Sequence, residues 1–146
     1  MQIKEAMTRD IDMIDPNMTI DKAAKLMAED DVGFLPVGEN DRLVGMLTDR
    51  DIAIRAVARG KDPSRTTVRD VMTDHVLYCY EDESIETAAR NMAKLQIRRM
   101  PIVNRDKRLV GVISLADIAR KCDSNQAGMA LKHVAQPTRE SLHLPH

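Results

Sequence analysis

Apolar residues fall at Ile20, Ala23, Ala24 and Met27, the i, i+3, i+4, i+7 spacing of one helix face, with Asp21, Lys22 and Lys25 between them. The spacing predicts a helix over residues 20–29, with Thr19 at the N-cap and Asp21 and Lys22 in the first turn. A short apolar run, Phe34-Leu-Pro-Val37, a Gly-Glu-Asn-Asp turn and the apolar stretch Leu43–Thr48 then predict a hairpin. A second helix is predicted from about Asp49 to Arg59, stopped by Gly60 and by Asp62-Pro63. The same succession returns further on. Ser84 caps a helix through about Leu95, and strands over Met100–Val103 and Leu109–Ile113 flank an Asn-Arg-Asp-Lys turn. A closing helix begins near Leu115 and ends near Cys122. Pro36 and Pro101, inside the first strand of each hairpin, suit an edge position or a strand's first residue.

The residues themselves repeat along with the pattern. Glu5-Ala-Met7-Thr8 returns as Asp70-Val-Met72-Thr73, and Ile20…Ala23-Ala24…Met27-Ala28 as Ile85…Ala88-Ala89…Met92-Ala93, at a constant shift of 65. After one inserted loop residue, Arg42-Leu-Val-Gly45…Thr48-x-x-Asp51-Ile-Ala returns as Arg108-Leu-Val-Gly111…Ser114-x-x-Asp117-Ile-Ala at a shift of 66. This predicts two copies of one supersecondary unit, repeat 1 over residues 1–62 and repeat 2 over residues 63–122. Residues 123–146 break the pattern and form a tail, in which Ala127–Val134 is the one helical stretch. A repeat of about 60 residues is near the lower limit for a self-sufficient core, so one core shared by both halves is expected.

Composition narrows the function. Hydrophobic residues make up 43 % of the chain but aromatics only 2 %, so Val, Ile, Leu, Ala and ten Met must build the core. That leaves few stacking platforms for a single-stranded nucleic acid. A net charge of −1 gives no basic footprint for DNA or an anionic membrane, and no apolar run is long enough to span a bilayer. The amphipathic opening, Met1-Gln-Ile-Lys-Glu-Ala, has no apolar run of the signal-peptide kind, and Cys79 and Cys122 lie in no partner motif. A cytoplasmic protein with reduced thiols is the expectation. The four histidines and two cysteines lack close-paired metal-ligand spacing, and neither a nucleophile–base–orienter set nor a P-loop lysine is present.

The most specific local feature is a strand that ends in a hydroxyl, followed three residues later by an aspartate. The copies are Gly45-Met-Leu-Thr48-Asp-Arg-Asp51 and Gly111-Val-Ile-Ser114-Leu-Ala-Asp117. The hydroxyl falls at a helix start, where unpaired N–H groups favour an anion such as a phosphate. The aspartate, in the first turn, can accept hydrogen bonds from two neighbouring ribose hydroxyls. The plainer alternative fits as well: Thr48 and Ser114 are ordinary N-caps, and the two aspartates partner the helix dipole. Duplication carries caps along as readily as sites, so two copies do not decide between these.

The helix–hairpin–helix repeat, the x-x-x-Pro-Val/Ile strand, the Gly-h-h-Thr/Ser-x-x-Asp signature (h apolar) and the Val-x-Asp-Val-Met-Thr opening together resemble the CBS domain. Over about residues 3–122 the chain resembles a tandem CBS pair, or Bateman module, of the stand-alone bacterial kind. The resemblance implies an α/β (α+β) fold of two βαββα-type repeats related by a pseudo-two-fold axis. It also implies two clefts between the repeats that take an adenosyl ligand: AMP, ADP, ATP, NAD or S-adenosylmethionine. On that resemblance Thr48 meets phosphate and Asp51 the ribose diol in the first cleft, with Thr66 and Val76 near the sugar and base. The second cleft uses Ser114 and Asp117, with Ile11–Met13 and Val32–Pro36 on the base side.

Family members often carry basic residues before the strand proline, where they reach phosphate groups. Here Arg98 and Arg99 precede Met100-Pro101, whereas Gly33 and Phe34 precede Leu35-Pro36. Arg50 also adjoins Asp51 where repeat 2 has Ala116. Both differences are read as favouring the first cleft for phosphate; the alternative is that Arg98 and Arg99 are solvated surface charges.

The function expected is a non-catalytic regulatory module, in which a nucleotide bridging the repeats stabilises one arrangement and so signals to a second copy or a separate regulated protein. The resemblance makes a homodimer the expected assembly, without nucleic acid or membrane. The rival readings are a ligand-free interaction module, a nucleotide-processing enzyme, and a metal or redox sensor using the cysteines and the His-bearing tail.

Overall fold

In the computed structural model, which describes residues 1–121 and 128, the predicted helices and hairpins form in both repeats. Helix α1 spans Ile20–Asp30, strands β1 and β2 span Phe34–Glu39 and Arg42–Thr48, and helix α2 spans Asp49–Ile52. A π-helical turn, Ala53–Val57, carries α2 onward, and Gly60 takes a left-handed φ of 67° where the helix ends. The second copy comprises β3 (Cys79–Tyr80), α4 (Ile85–Leu95), β4 (Arg99–Val103), β5 (Leu109–Ser114) and α5 (Leu115–Lys121), after a short helix α3 (Val68–Val71). The Val-Arg-Asp-Val opening of repeat 2 is therefore a helical turn. A capping box explains it: Thr67 N donates to Asp70 Oδ2 at 3.1 Å, and the Thr67 donors hold the Asp70 carboxyl below the usual carboxylate range. Cys122 and the tail, with its predicted helix over 127–134, lie outside the described residues except for Gly128.

The chain divides into two units that do not share boundaries with the sequence repeats: residues 11–76, and residues 1–10 together with the chain from Leu77 on. An exchange of short segments produces this division. Met46 of β2 and Thr73 bond reciprocally, N to O, at 2.9 and 2.8 Å, so the Met72-Thr73 motif completes the unit of repeat 1. Thr8 and Val112 of β5 do the same at 2.9 Å in both directions, so Met7-Thr8 completes the other unit. The glycines of the signature allow this approach. A Cβ on Gly45 would stand 2.7 Å from Met72 Sδ and 2.9 Å from Thr73 O; on Gly111 it would stand 2.7 Å from Met7 Sδ and 2.9 Å from Thr8 O.

The expectation of one shared core is corrected by two apolar clusters among the described residues, one inside each unit. Ile14, Ile20, Ala23, Met27, Leu35, Val37, Leu47, Ala56, Val68 and Val71 form the first. Ile3, Ala6 and Met7 join Cys79, Ile85, Ala88, Ala89, Met92, Met100, Ile102, Ile113 and Ile118 in the second. The exchanged segments supply what a repeat alone lacks, Val68 and Val71 to one cluster and Ile3, Ala6 and Met7 to the other.

β1 and β2 form an antiparallel pair, while β3, β4 and β5 form a sheet in that order, β3 parallel to β4. Ile14 N donates to Pro36 O and Gly38 N to Ile14 O, each at 2.9 Å, so the backbone of Pro36 faces Ile14 and its missing N–H costs the β1–β2 ladder nothing. Pro101 lies in the central strand β4, not at an edge, but beyond the pairing of Ile102 and Val103 with β3.

The two helix starts also differ. Ser84 Oγ accepts from Thr87 N at 3.2 Å, whereas the Thr19 hydroxyl donates to the Asp21 carboxylate and makes no cap hydrogen bond. Ser84→Ala is thus expected to lower unfolding free energy by about 1 kcal/mol, and Thr19→Ala by less than about half of that, in urea titrations. Equal losses would contradict the assignment.

Candidate functional site

The Thr48–Asp51 and Ser114–Asp117 pairs are each closed into a reciprocal capping box. Asp51 N donates to Thr48 Oγ1 at 3.0 Å, and Thr48 N donates to Asp51 Oδ2 at 3.0 Å. In the other copy Asp117 N donates to Ser114 Oγ at 3.1 Å, and Ser114 N donates to Asp117 Oδ2 at 3.0 Å. The sequence alternative of ordinary caps is therefore realised, with aspartate in the place glutamate takes in the usual box. Each box engages Oδ2 and leaves Oδ1 to the surroundings.

Those surroundings differ between the copies. Asp51 Oδ1 has Arg55 Nε at 3.9 Å, and Arg55 donates through Nη1 to Val71 O at 3.2 Å and Met72 O at 3.1 Å. Asp117 Oδ1 instead accepts from Arg120 Nη2 at 2.6 Å and from Thr8 Oγ1 at 3.4 Å, and its side chain is 4 % exposed against 13 % for Asp51. One copy thus presents a carboxylate oxygen without a close donor from Arg55; in the other that oxygen is held.

Arg98 and Arg99, expected at the first cleft, stand beside Ser114 in their own unit. Arg98 O accepts from Leu115 N at 3.0 Å, and Arg99 lies opposite Ser114 in the β4–β5 register. Their counterparts hold the same places in the other unit: Gly33 O accepts from Asp49 N at 2.8 Å, and Phe34 lies opposite Thr48. Both arginines are exposed, and Pro101 is buried beyond them. Arg50 is exposed beside Asp51. Thr66 shares the unit of Thr48 and Asp51 but is buried, and its hydroxyl donates to Asp62 O at 2.8 Å. Val76, half-buried, is the last residue of that unit, which also holds Ile11–Met13 and Val32–Pro36. The Met13 side chain fills the space that a Cβ on Gly38 would need.

Sequence reasoning missed Arg55, Arg120 and Thr8. The i+4 and i+3 spacing of the two arginines from their aspartates was the available signal. Thr8 reaches Asp117 only through the exchanged segment. Cys79 is packed: it is 1 % exposed, and burial pushes its thiol pKa up. Among the described residues no group of three or more His, Cys, Asp or Glu is placed to hold a metal, and no helix is long and apolar enough to cross a membrane.

The doubled unit, with its two capped Thr/Ser–Asp signatures, defines a class. The CBS domain family model matches residues 3–57 and 68–124, and the chain belongs to that family. It is 43 % identical over 134 residues to the CBS domain-containing protein YhcV of Bacillus subtilis, covering 91 % of this chain and 94 % of that protein. The crystal structure of Hypoxic Response Protein I, described with two coordinated zinc ions, matches with a TM-score of 0.77 and 36 % identity over 84 % of this chain and 100 % of that one. The same-named protein of Mycobacterium tuberculosis is 36 % identical over 135 residues. The CBS domain pair of protein MJ0100, solved with 5′-methylthioadenosine and S-adenosyl-L-methionine, matches with a TM-score of 0.73 and 30 % identity over 82 % of this chain and 98 % of that one.

Proposed function

We propose that the chain is a non-catalytic regulatory module that binds an adenosyl ligand, of the AMP, ADP, ATP, NAD or S-adenosylmethionine kind, through Asp51 and Asp117. The observation that carries this reading is the twice-built cap. It fixes each aspartate through Oδ2 and, at Asp51, turns Oδ1 to a place where Arg55 comes no nearer than 3.9 Å. At Asp51, a carboxylate oriented in this way can accept from two ribose hydroxyls without reorganising. The adenosyl ligands in the related MJ0100 pair support the ligand class. Both carboxylates are committed to helix caps, so neither is assigned acid–base work. Binding acts by linkage: the ligand shifts the module's conformational equilibrium by the difference in its affinity for two states, and a second copy or a regulated protein reads the shift.

Calorimetric titration of AMP, ATP, NAD and S-adenosylmethionine tests the reading on the wild type, Asp51→Asn and Asp117→Asn. Asparagine keeps an acceptor for the Thr48 or Ser114 N–H and removes the charge that holds the diol. Asp51→Asn is expected to weaken binding at least tenfold, about 1.4 kcal/mol, with a much smaller change in thermal midpoint than Asp51→Ala. Absence of heat with every ligand would leave a CBS-fold interaction module, its partner then sought by pull-down.

A further inference from the structure

The two copies share a cap and differ in the charge around it. Asp117 has Arg120 three residues on, Arg98 bonded through its carbonyl to the first residue of α5, and Arg99 opposite Ser114. The corresponding residues of the other copy are Ile54, Gly33 and Phe34, while Leu115 is replaced by an acid, Asp49. One aspartate thus holds a guanidinium and has two arginines in the neighbouring backbone; the other shares its turn with a second carboxylate.

We propose that Arg120 is a specificity latch, which makes the Ser114–Asp117 copy select phosphorylated adenosyl ligands over unphosphorylated ones. The proposal rests on the nucleotide-binding reading above and assigns a ligand class to one of its two sites. A ribose diol that takes both lone pairs of Asp117 Oδ1 must displace Arg120, whose Nη2 lies 2.6 Å away, together with the more distant Thr8 hydroxyl at 3.4 Å. The carboxylate is 4 % exposed and the guanidinium 65 % exposed, so breaking the pair strips the arginine of its anion and leaves the carboxylate to the diol. A phosphate on the same ligand offers the released guanidinium a forked acceptor, which adenosine lacks. Arg98, just before β4, and Arg99, its first residue, are exposed and add positive potential for that phosphate. Around Asp51 no such exchange is required. Arg55 is tied to the carbonyls of Val71 and Met72, and that copy accepts a ligand whether or not it carries phosphate.

The test titrates AMP and adenosine into the full chain carrying Asp51→Asn, with and without Arg120→Ala, so that heat reports the Ser114 copy. With Arg120 present, AMP is expected to bind at least about tenfold tighter than adenosine, a gap of about 1.4 kcal/mol. Arg120→Ala is expected to weaken AMP, to strengthen adenosine, and so to erase that ratio. Because the ratio compares two ligands on one protein, a general loss of fold does not imitate the result. Should Arg120→Ala fail to fold, Arg98→Ala with Arg99→Ala, both at exposed positions, is expected to weaken AMP and spare adenosine. An AMP-to-adenosine ratio left unchanged by Arg120→Ala, or by the Arg98/Arg99 pair where that is the variant measured, would overturn the latch while binding itself persists. No heat from either ligand, in these proteins or in the wild type, would overturn the nucleotide reading and the latch with it.

Discussion

Ile102→Ala is expected to lower the free energy of unfolding by about 2–5 kcal/mol, a large part of the about 5–15 kcal/mol that holds a typical domain together. Ile102 is 0 % exposed in β4, the central strand of its sheet, paired with Cys79 on one side and Gly111 on the other. Its side chain packs into the cluster that includes Ile3, Met92, Met100, Ile113 and Ile118. Removing three carbons there loses their transfer free energy and leaves a cavity that a doubly paired strand cannot close by moving. Val57→Ala is the matched control. Val57 is 63 % exposed at the end of the π-helical turn, and its truncation is expected to change stability by less than about 0.5 kcal/mol. Urea titrations with equal slopes would establish both values; similar losses for the two variants would place the core elsewhere.

What the sequence made legible was local. The faces of α1 and α4 follow from the 3.6-residue period, and Ile20, Ala23 and Met27 are buried as their spacing requires. Ala24 shares that stripe and is exposed, whereas its counterpart Ala89 is buried, because each stripe meets a different neighbourhood. The hairpins read correctly since their apolar runs and turn residues lie within a few positions of one another. The segment exchange was not legible. Thr8 pairs with Val112 and Thr73 with Met46, and nothing in either short motif says which strand it will join. The same holds for the site. The cap between Thr48 and Asp51 spans three residues and was open to sequence reasoning, but the contrast between Arg120 on Asp117 and Arg55 beside Asp51 depends on burial and on the carbonyls of Val71 and Met72. The charge difference between the repeats at Arg98 and Arg99 is visible in sequence, whereas the backbone bond from Leu115 N to Arg98 O, which sets that segment beside α5, is not.

Gly111→Val is expected to cost about 3 kcal/mol or more, the upper end of what overpacking exacts, and to disturb one candidate site while sparing the other. A Cβ at residue 111 would already stand 2.9 Å from the carbonyl oxygen of Thr8, a backbone atom held by its own bond from Val112 N at 2.9 Å. Met7 Sδ, 2.7 Å away, belongs to a flexible side chain and can yield, but the carbonyl cannot move without breaking the Thr8–Val112 bonds. Valine adds two methyl groups to that collision, so the Met7-Thr8 segment must leave β5. With it go Ile3, Ala6 and Met7 from the apolar cluster and the Thr8 hydroxyl from Asp117 Oδ1. Binding that depends on Asp117 is therefore expected to fall with the stability of this unit. Binding that depends on Asp51 persists at temperatures below the transition, because Gly45, Met72 and Thr73 make the equivalent contact within residues 11–76. Gly45→Val is expected to give the converse. Two variants that weaken both sites equally would show that the exchanged segments do not serve the units separately; opposite losses would tie each Met-Thr segment to the aspartate beyond the strand it joins.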